Sequence, residues 1–299
     1  MNVAISTTGL VKRYGRRRAL DGFTLAVPSG ATVGLVGRNG SGKTTWMMSV
    51  AGFVRPDGGT MDILGRGAFD AAVHGGRLGI LPQDSQLPPD SRATELLVQW
   101  GRLQGMSSKQ ASSAAGKLLS AFNLSGRADA PYRSLSHGMR KRLMSAQAFL
   151  GDPEIVLLDE PLNGLDPVEA DRLRSFILAR RGRQTIVISS HDLGDVERLC
   201  THVAFVEAGR VVKMTTLRSL TSESGRVVYE LASCPASGAL DAIGEGWSIS
   251  VDGIRVQVDF DPSRHAVQDV NAYFLPRLIP FGVVSVNAGR SLEDVYLGR

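Results

Sequence analysis

Gly37-Arg38-Asn39-Gly40-Ser41-Gly42-Lys43-Thr44 is the stretch whose reading decides the fold of this chain. Two glycines bracket four residues and are followed by Lys and Thr, the spacing of a loop that cradles phosphate. Glycine lets the backbone curl until successive N–H groups point at one anion. Gly37, Arg38, Asn39, Gly40, Ser41 and Gly42 supply that curled backbone. Lys43 can reach the β- and γ-phosphates of a nucleoside triphosphate, and the Thr44 hydroxyl can ligate Mg²⁺. Upstream, Thr32–Val36 reads as a buried strand. Downstream, Thr45 and the residues to Val50 read as the first turns of a helix, whose N-terminus favours an anion. Strand, loop and helix in that order belong to an α/β fold. The loop specifies a nucleoside triphosphate and leaves open what is done with it.

Working outward, Val3–Ser6 and Phe23–Val27 read as short strands, the second ended by Pro28-Ser29-Gly30. A turn cluster at Arg55–Gly59 precedes a short strand at Thr60–Ile63, and Arg77–Leu81 is a further strand stopped by Pro82. Residues 92–150 change to helical periodicity, which predicts a helical insert. Parallel-sheet patterning returns at Ile155–Leu158 and Thr185–Ser189, unbroken apolar or β-branched runs suited to strands covered on both faces. Val203–Val206 and Val211–Lys213 predict a hairpin across Ala208-Gly209.

The pattern shifts again near residue 220. Thr221–Gly225 reads as a linker. After it come a strand at Val227–Leu231, a short helix at Gly238–Ile243, and two strands joined at Asp252-Gly253, a strong hairpin signal. A helix near His265–Leu275 and a strand at Val283–Val286 complete the order β-α-β-β-α-β, which suggests a small ferredoxin-like α+β module. The expected domains are therefore 1–220 and 221–299.

A nucleoside triphosphatase needs a second acidic element. Ile155–Glu160 supplies it: four apolar residues make a central strand, and Asp159 emerges at its C-terminal end, where open α/β sheets place ligands. Asp159 can hold the metal, and Glu160 can polarise an attacking water.

Composition narrows the class. With 43% hydrophobic and 21% charged residues, the chain can bury a sizeable core. No apolar run approaches the ~18 residues needed to cross a bilayer. The N-terminal MNVAISTTGLVKRYG lacks the layout of a secretory signal, so the chain is expected to stay in the cytosol. Cys200 and Cys234 share no metal or redox spacing and are expected to be buried free thiols. The basic cluster Lys12, Arg13, Arg16, Arg17 and Arg18 fits a solvated surface, or contact with nucleotide phosphates or anionic headgroups. No basic stripe interleaved with aromatics marks a nucleic-acid partner.

A family resemblance enters with Leu135-Ser136-His137-Gly138-Met139, directly before a helix beginning Arg140-Lys141-Arg142. The phosphate loop, this segment, Ile155–Pro161 (IVLLDEP) and a later His191, in this order, resemble the ATPase subunit of an ABC transporter over roughly residues 3–217. The implied fold is a P-loop NTPase of ABC type: a mixed sheet, an antiparallel β subdomain and a helical insert. LSHGM stands where the family carries LSGGQ. Ser136 and Gly138 match, and in the family they contact the γ-phosphate of ATP bound to the partner subunit. His137 and Met139 depart, which bears on the strength of the contacts between subunits. The resemblance implies that Tyr14 stacks on adenine, and that Gln83 meets Mg²⁺ and couples to the membrane subunit. It further implies that Leu165-Asp166 crosses the dimer interface and that His191 steadies the γ-phosphate. Ser291–Leu297 resembles a closing segment common in exporter ATPases.

The implied activity is ATP hydrolysis with Mg²⁺ in a homodimer that holds two nucleotides between facing subunits. Lys43, Gln83, Glu160 and His191 would do the chemistry. The implied partners are a second copy and a separate transmembrane permease, which would hold the chain at the inner face of the membrane; no nucleic acid is expected. Three other readings stay open: an ABC ATPase acting on ribosome or DNA, the ATPase of an importer with a regulatory C-terminal module, and another P-loop enzyme such as a kinase.

Overall fold

The computed structural model describes residues 2–83, 87–217, 219, 225–235, 247–261, 264–265 and 267–288. Two compact units divide the chain, Met1–Met214 and Thr215–Arg299.

The first unit opens with two long antiparallel strands, β1 (Val3–Tyr14) and β2 (Arg17–Pro28). They run further than the sequence pattern suggests. Gly9 and Gly22 interrupt the alternation there, and both adopt positive φ, 61° and 82°. The pairing register shifts beside them, so the interruptions are bulges within the strands rather than strand ends. β3 (Thr32–Val36) follows, then α1 (Lys43–Val50) and β4 (Gly58–Ile63). β4 joins the free edge of β1 to give a three-stranded sheet, β2-β1-β4.

A short α2 (Ala71–His74) leads to β5 (Leu78–Leu81) and then to the helical insert. Its helices are α3 (Ala93–Leu103), α4 (Ser108–Ala121) and α5 (His137–Ala148). Serine caps set two of the starts. Ser107 accepts from the Gln110 amide at 3.3 Å, and Ser136 accepts from the Met139 amide at 3.2 Å. The remaining elements are β6 (Ile155–Asp159), α6 (Pro167–Leu178), β7 (Thr185–Ser190), α7 (Leu193–Leu199), β8 (His202–Glu207) and β9 (Arg210–Thr216).

A second sheet takes the order β5-β6-β7-β3-β8-β9, with β5 to β8 parallel. Every residue of β3, β6 and β7 is buried, the cause of their unbroken apolar patterning. α1 is sandwiched between the two sheets: Trp46, Met47 and Val50 share one core with Phe23 and Leu25 of β2 and with Leu35 and Leu157 of the parallel strands. The buried Trp46 indole is satisfied by Thr7 Oγ1 at 3.1 Å. The insert is tied to α6 by the buried Arg142, which donates to the Phe122 and Asn123 carbonyls and pairs with Glu169 at 3.0 Å.

The second unit holds β10 (Arg226–Leu231), β11 (Trp247–Asp252), β12 (Arg255–Phe260), the helix Val267–Leu278 and β13 (Val283–Ala288). All pairings are antiparallel in the order β11-β12-β10-β13. That strand order, with the helix Val267–Leu278 between β12 and β13, is the order of a ferredoxin-like sheet. Val227, Tyr229, Val256 and Val258 face Val270, Phe274 and Leu278 of the helix in its core. The hairpin turn sits one residue later than the sequence signal. Asp252 pairs with Arg255, so the loop is Gly253-Ile254, with glycine supplying a φ of 56° at the first position. Cys200 is buried as expected, but Cys234 is exposed, because it falls in the turn after β10 rather than on a core face. The expected helix at Gly238–Ile243, the closing segment Ser291–Leu297 and most of the expected linker lie outside the described residues.

Candidate functional site

Parallel pairing brings three strand ends level. Val36 of β3 stands abreast of Ser190, and Asp159 of β6 stands abreast of Ser189. β7 therefore separates the phosphate loop from the acidic strand by one strand width, and all three ends open on the carboxyl edge of the sheet.

The loop is shaped by its glycines. Gly40 and Gly42 take φ of 79° and 113°, a region other residues rarely adopt. A Cβ at Gly37 would lie 2.2 Å from the Val206 carbonyl oxygen, and one at Gly42 would lie 2.7 Å from that of Ala19. Both obstacles are backbone, so neither position can yield to a side chain. Gly42 caps α1, and the Lys43 ammonium turns back to donate to the Gly37 and Arg38 carbonyls at 2.6 and 3.3 Å. Burial pushes the Lys43 ammonium below its ordinary pKa, and the nearby Glu160 and Asp159 carboxylates oppose that shift.

Ser189 organises the acidic end. Its hydroxyl donates to Asp159 Oδ1 and accepts from the Glu160 amide at 2.9 Å. Glu160 takes a φ of 49°, so the chain turns sharply and aims its carboxylate away from the strand. His191 Nδ1 then stands 3.0 Å from Glu160 Oε2. An ionised carboxylate only accepts, which places the proton on Nδ1 and leaves Nε2 as the free face of the ring. Ser189 itself has no sequence signal; it is found only through the strand register. Its replacement by alanine would orphan two buried groups at once. Ser189→Ala is expected to lower unfolding stability by about 1–3 kcal/mol and to reduce turnover, read by urea titration and steady-state kinetics. Unchanged stability with unchanged turnover would remove Ser189 from the site.

A cavity of about 530 Å³ collects Tyr14, Arg17, Asn39, Gly40, Gly42, Lys43, Thr44, Thr45, Gln83, Asp159 and Glu160 among its lining residues. Tyr14 is 50% exposed, enough to offer a ring face. Gly37, Arg38 and Ser41 form the loop behind that lining. His191 lines the adjoining cavity of about 480 Å³, together with Glu160 and the loop Pro161–Leu165. Ser136, Gly138 and Asp166 line neither cavity. Ser136 and Asp166 act here as helix caps, Asp166 accepting from the Glu169 amide at 3.0 Å. Gly138 lies in the first turn of α5, where a Cβ would meet nothing nearer than the Gly164 carbonyl oxygen at 4.0 Å. His137 packs against Gly164, whose Cβ would lie 3.0 Å from the imidazole.

The donor set suits a hard divalent cation. Thr44, Gln83 and Asp159 offer a hydroxyl, an amide carbonyl and a carboxylate to one cavity. Asp159 Oδ2 is buried with no hydrogen-bond partner among the described residues, the type of acceptor such a cation satisfies. Two of the five members of the basic cluster are committed to ion pairs: Lys12 pairs with Asp57 at 3.0 Å and Arg18 with Asp21 at 2.7 Å.

Comparison with known proteins bears on this geometry. Residues 20–163 match the family model of the ABC transporter domain. The chain is 38% identical over 238 residues to the Nod factor export ATP-binding protein I of Burkholderia orbicola, covering 77% of each. It is 33% identical over 262 residues to the daunorubicin/doxorubicin resistance ATP-binding protein of Streptomyces peucetius, covering 87% of this chain and 79% of that one. Among solved structures, an ATP-binding subunit of an ABC transporter superposes with a TM-score of 0.66 at 26% identity, over 73% of this chain and 92% of that one. Loop, acidic strand end, histidine and relatives agree: the chain belongs to the ABC transporter family, as an ATP-binding and ATP-hydrolysing subunit.

Proposed function

We propose that this subunit drives export of a substrate through a separate membrane permease by closing and opening as an ATP-bound homodimer. The observation that carries the hydrolytic half is the Glu160–His191 pair, 3.0 Å apart, beside a cavity that holds Lys43 and Asp159. A water at that carboxylate would lose its proton to Glu160 as its oxygen bonds to the γ-phosphorus, the bond from that phosphorus to the β–γ bridging oxygen would break, and ADP and phosphate would leave, with His191 steadying the transferring group. Lys43 and the loop amides would hold the β- and γ-phosphates, Thr45 would extend that contact, and Tyr14 would take the adenine. Thr44, Gln83 and Asp159 would hold Mg²⁺, which supplies charge neutralisation at the phosphate oxygens. Ser136 and Gly138 of one copy would close on the nucleotide of the other, with Asp166 in the loop between them.

The direction of transport is supported by the relatives, whose names are those of export and drug-resistance proteins. Among the described residues no helix is long and apolar enough to cross a membrane. A separate permease would be the other half of the device. It would hold the subunit at the inner face. ATP with Mg²⁺ is expected to double the mass seen by light scattering, with ADP leaving it unchanged. Turnover per chain should rise with chain concentration; turnover independent of concentration would rule out a shared site. In vesicles carrying the permease, extrusion of substrate supports the exporter reading, and accumulation would replace it with import.

A further inference from the structure

Arg17 is a cation at the nucleotide cavity to which the catalytic scheme gives no role. It begins β2 and is the register partner of Tyr14 across the tip of the β1–β2 hairpin. Directly paired residues project to the same side of a two-stranded ribbon. The Arg17 side chain reaches the phosphate loop, where Nη2 donates to the Gly40 carbonyl at 2.9 Å. The approach is close enough that a Cβ at Gly40 would fall 2.5 Å from that nitrogen. Arg17 is exposed, lines the cavity and has no ion-pair partner among the described residues. Its neighbours differ: Lys12 is held by Asp57 and the Arg55 carbonyl, and Arg18 by Asp21.

We propose that Arg17 holds the α-phosphate of the bound nucleotide. The proposal rests on the reading of this cavity as the ATP site. In that reading the base lies on Tyr14 and the β- and γ-phosphates lie at Lys43. Arg17 spans from the Tyr14 strand to the loop, so it stands beside the part of the ligand between these ends, the ribose and the α-phosphate. Of those two groups the α-phosphate is the anion. A guanidinium carries five N–H donors in a planar fork and no acceptor, which matches a pair of phosphate oxygens. The bond to Gly40 occupies one nitrogen and fixes the plane of the fork, leaving the other donors for the ligand.

The test separates contact with the ligand from support of the loop. Binding of ATP, ADP and ATPαS, in which sulfur replaces one α-phosphate oxygen, is measured by calorimetry on the full chain and on Arg17→Ala and Arg17→Lys. Arg17→Ala is expected to weaken ATP and ADP equally, by about tenfold or more, as loss of a charged hydrogen bond does. Wild type should bind ATPαS less tightly than ATP, and Arg17→Ala should no longer distinguish them, because the substitution and the sulfur remove the same interaction. Arg17→Lys should recover part of the affinity. If Arg17→Ala weakens ATP but leaves ADP unchanged, or keeps the full sulfur penalty, Arg17 does not hold the α-phosphate. Wild type that binds no ATP would overturn the nucleotide site itself, and the proposal with it.

Discussion

Glu160→Gln is expected to cut ATP turnover by roughly 10²–10⁴-fold while leaving ATP binding intact, the range for loss of a positioned base. Glutamine keeps the size of the side chain and its bond to His191, but it cannot take a proton. The surrounding contacts fix where it sits. Ser189 holds the Glu160 amide at 2.9 Å, and the positive φ of 49° turns the side chain out of the strand. Neither depends on the carboxylate charge, so fold and nucleotide affinity should survive. ATP that is bound but not cleaved should also hold two copies together, visible as a dimer that persists in Mg·ATP and disperses in ADP. Turnover within threefold of wild type would take the base assignment away from Glu160.

Much of this site is legible in the sequence because its parts are local. The loop needs glycines at fixed spacing, and the structure shows why at Gly37 and Gly42, where a side chain would strike backbone. Asp159 and Glu160 are legible because a strand buried on both faces reads as an unbroken apolar run that stops at the first carboxylate. What the sequence hides is set by pairing register. Ser189 becomes a bridge between Asp159 and Glu160 only because β7 lies beside β6 in one alignment of residues. Arg17 reads as one member of a basic run, and cross-strand pairing with Tyr14 alone sets it apart from Arg18. The β1 and β2 lengths were hidden for a related reason: a glycine bulge breaks the alternation of side chains without ending the strand. Gln83 stands in the cavity lining, yet no local pattern beyond a strand-stopping proline points to it.

Subunits that are each inactive are expected to restore one another when mixed, if the site is shared between two copies. Lys43→Ala removes the ammonium from the phosphate loop and should lower turnover by roughly 10²–10³-fold, as loss of a preorganised electrostatic donor does. Gly138→Asp acts at the other face. Within its own chain the position is open, with nothing nearer to a Cβ than an oxygen at 4.0 Å, and φ there is not positive. An acidic residue in the first turn of α5 also suits the helix dipole. Gly138→Asp should therefore fold as well as wild type, and its defect should arise only where α5 meets the partner's nucleotide, by repelling phosphate. In a mixed dimer the intact loop of the Gly138→Asp chain faces the intact Gly138 of the Lys43→Ala chain. One site is whole, and the other carries both lesions. An equimolar mixture should therefore recover about a quarter of wild-type turnover, since about half of randomly formed dimers are mixed and each has one working site of two. A chain carrying both substitutions, mixed with either single variant, should recover none, because no pairing then assembles a whole site. Recovery absent from the first mixture, with both variants inactive alone, folded and exchanging partners, would place Lys43 and Gly138 in the site of one and the same chain and overturn the assignment of Ser136 and Gly138 to the partner's nucleotide.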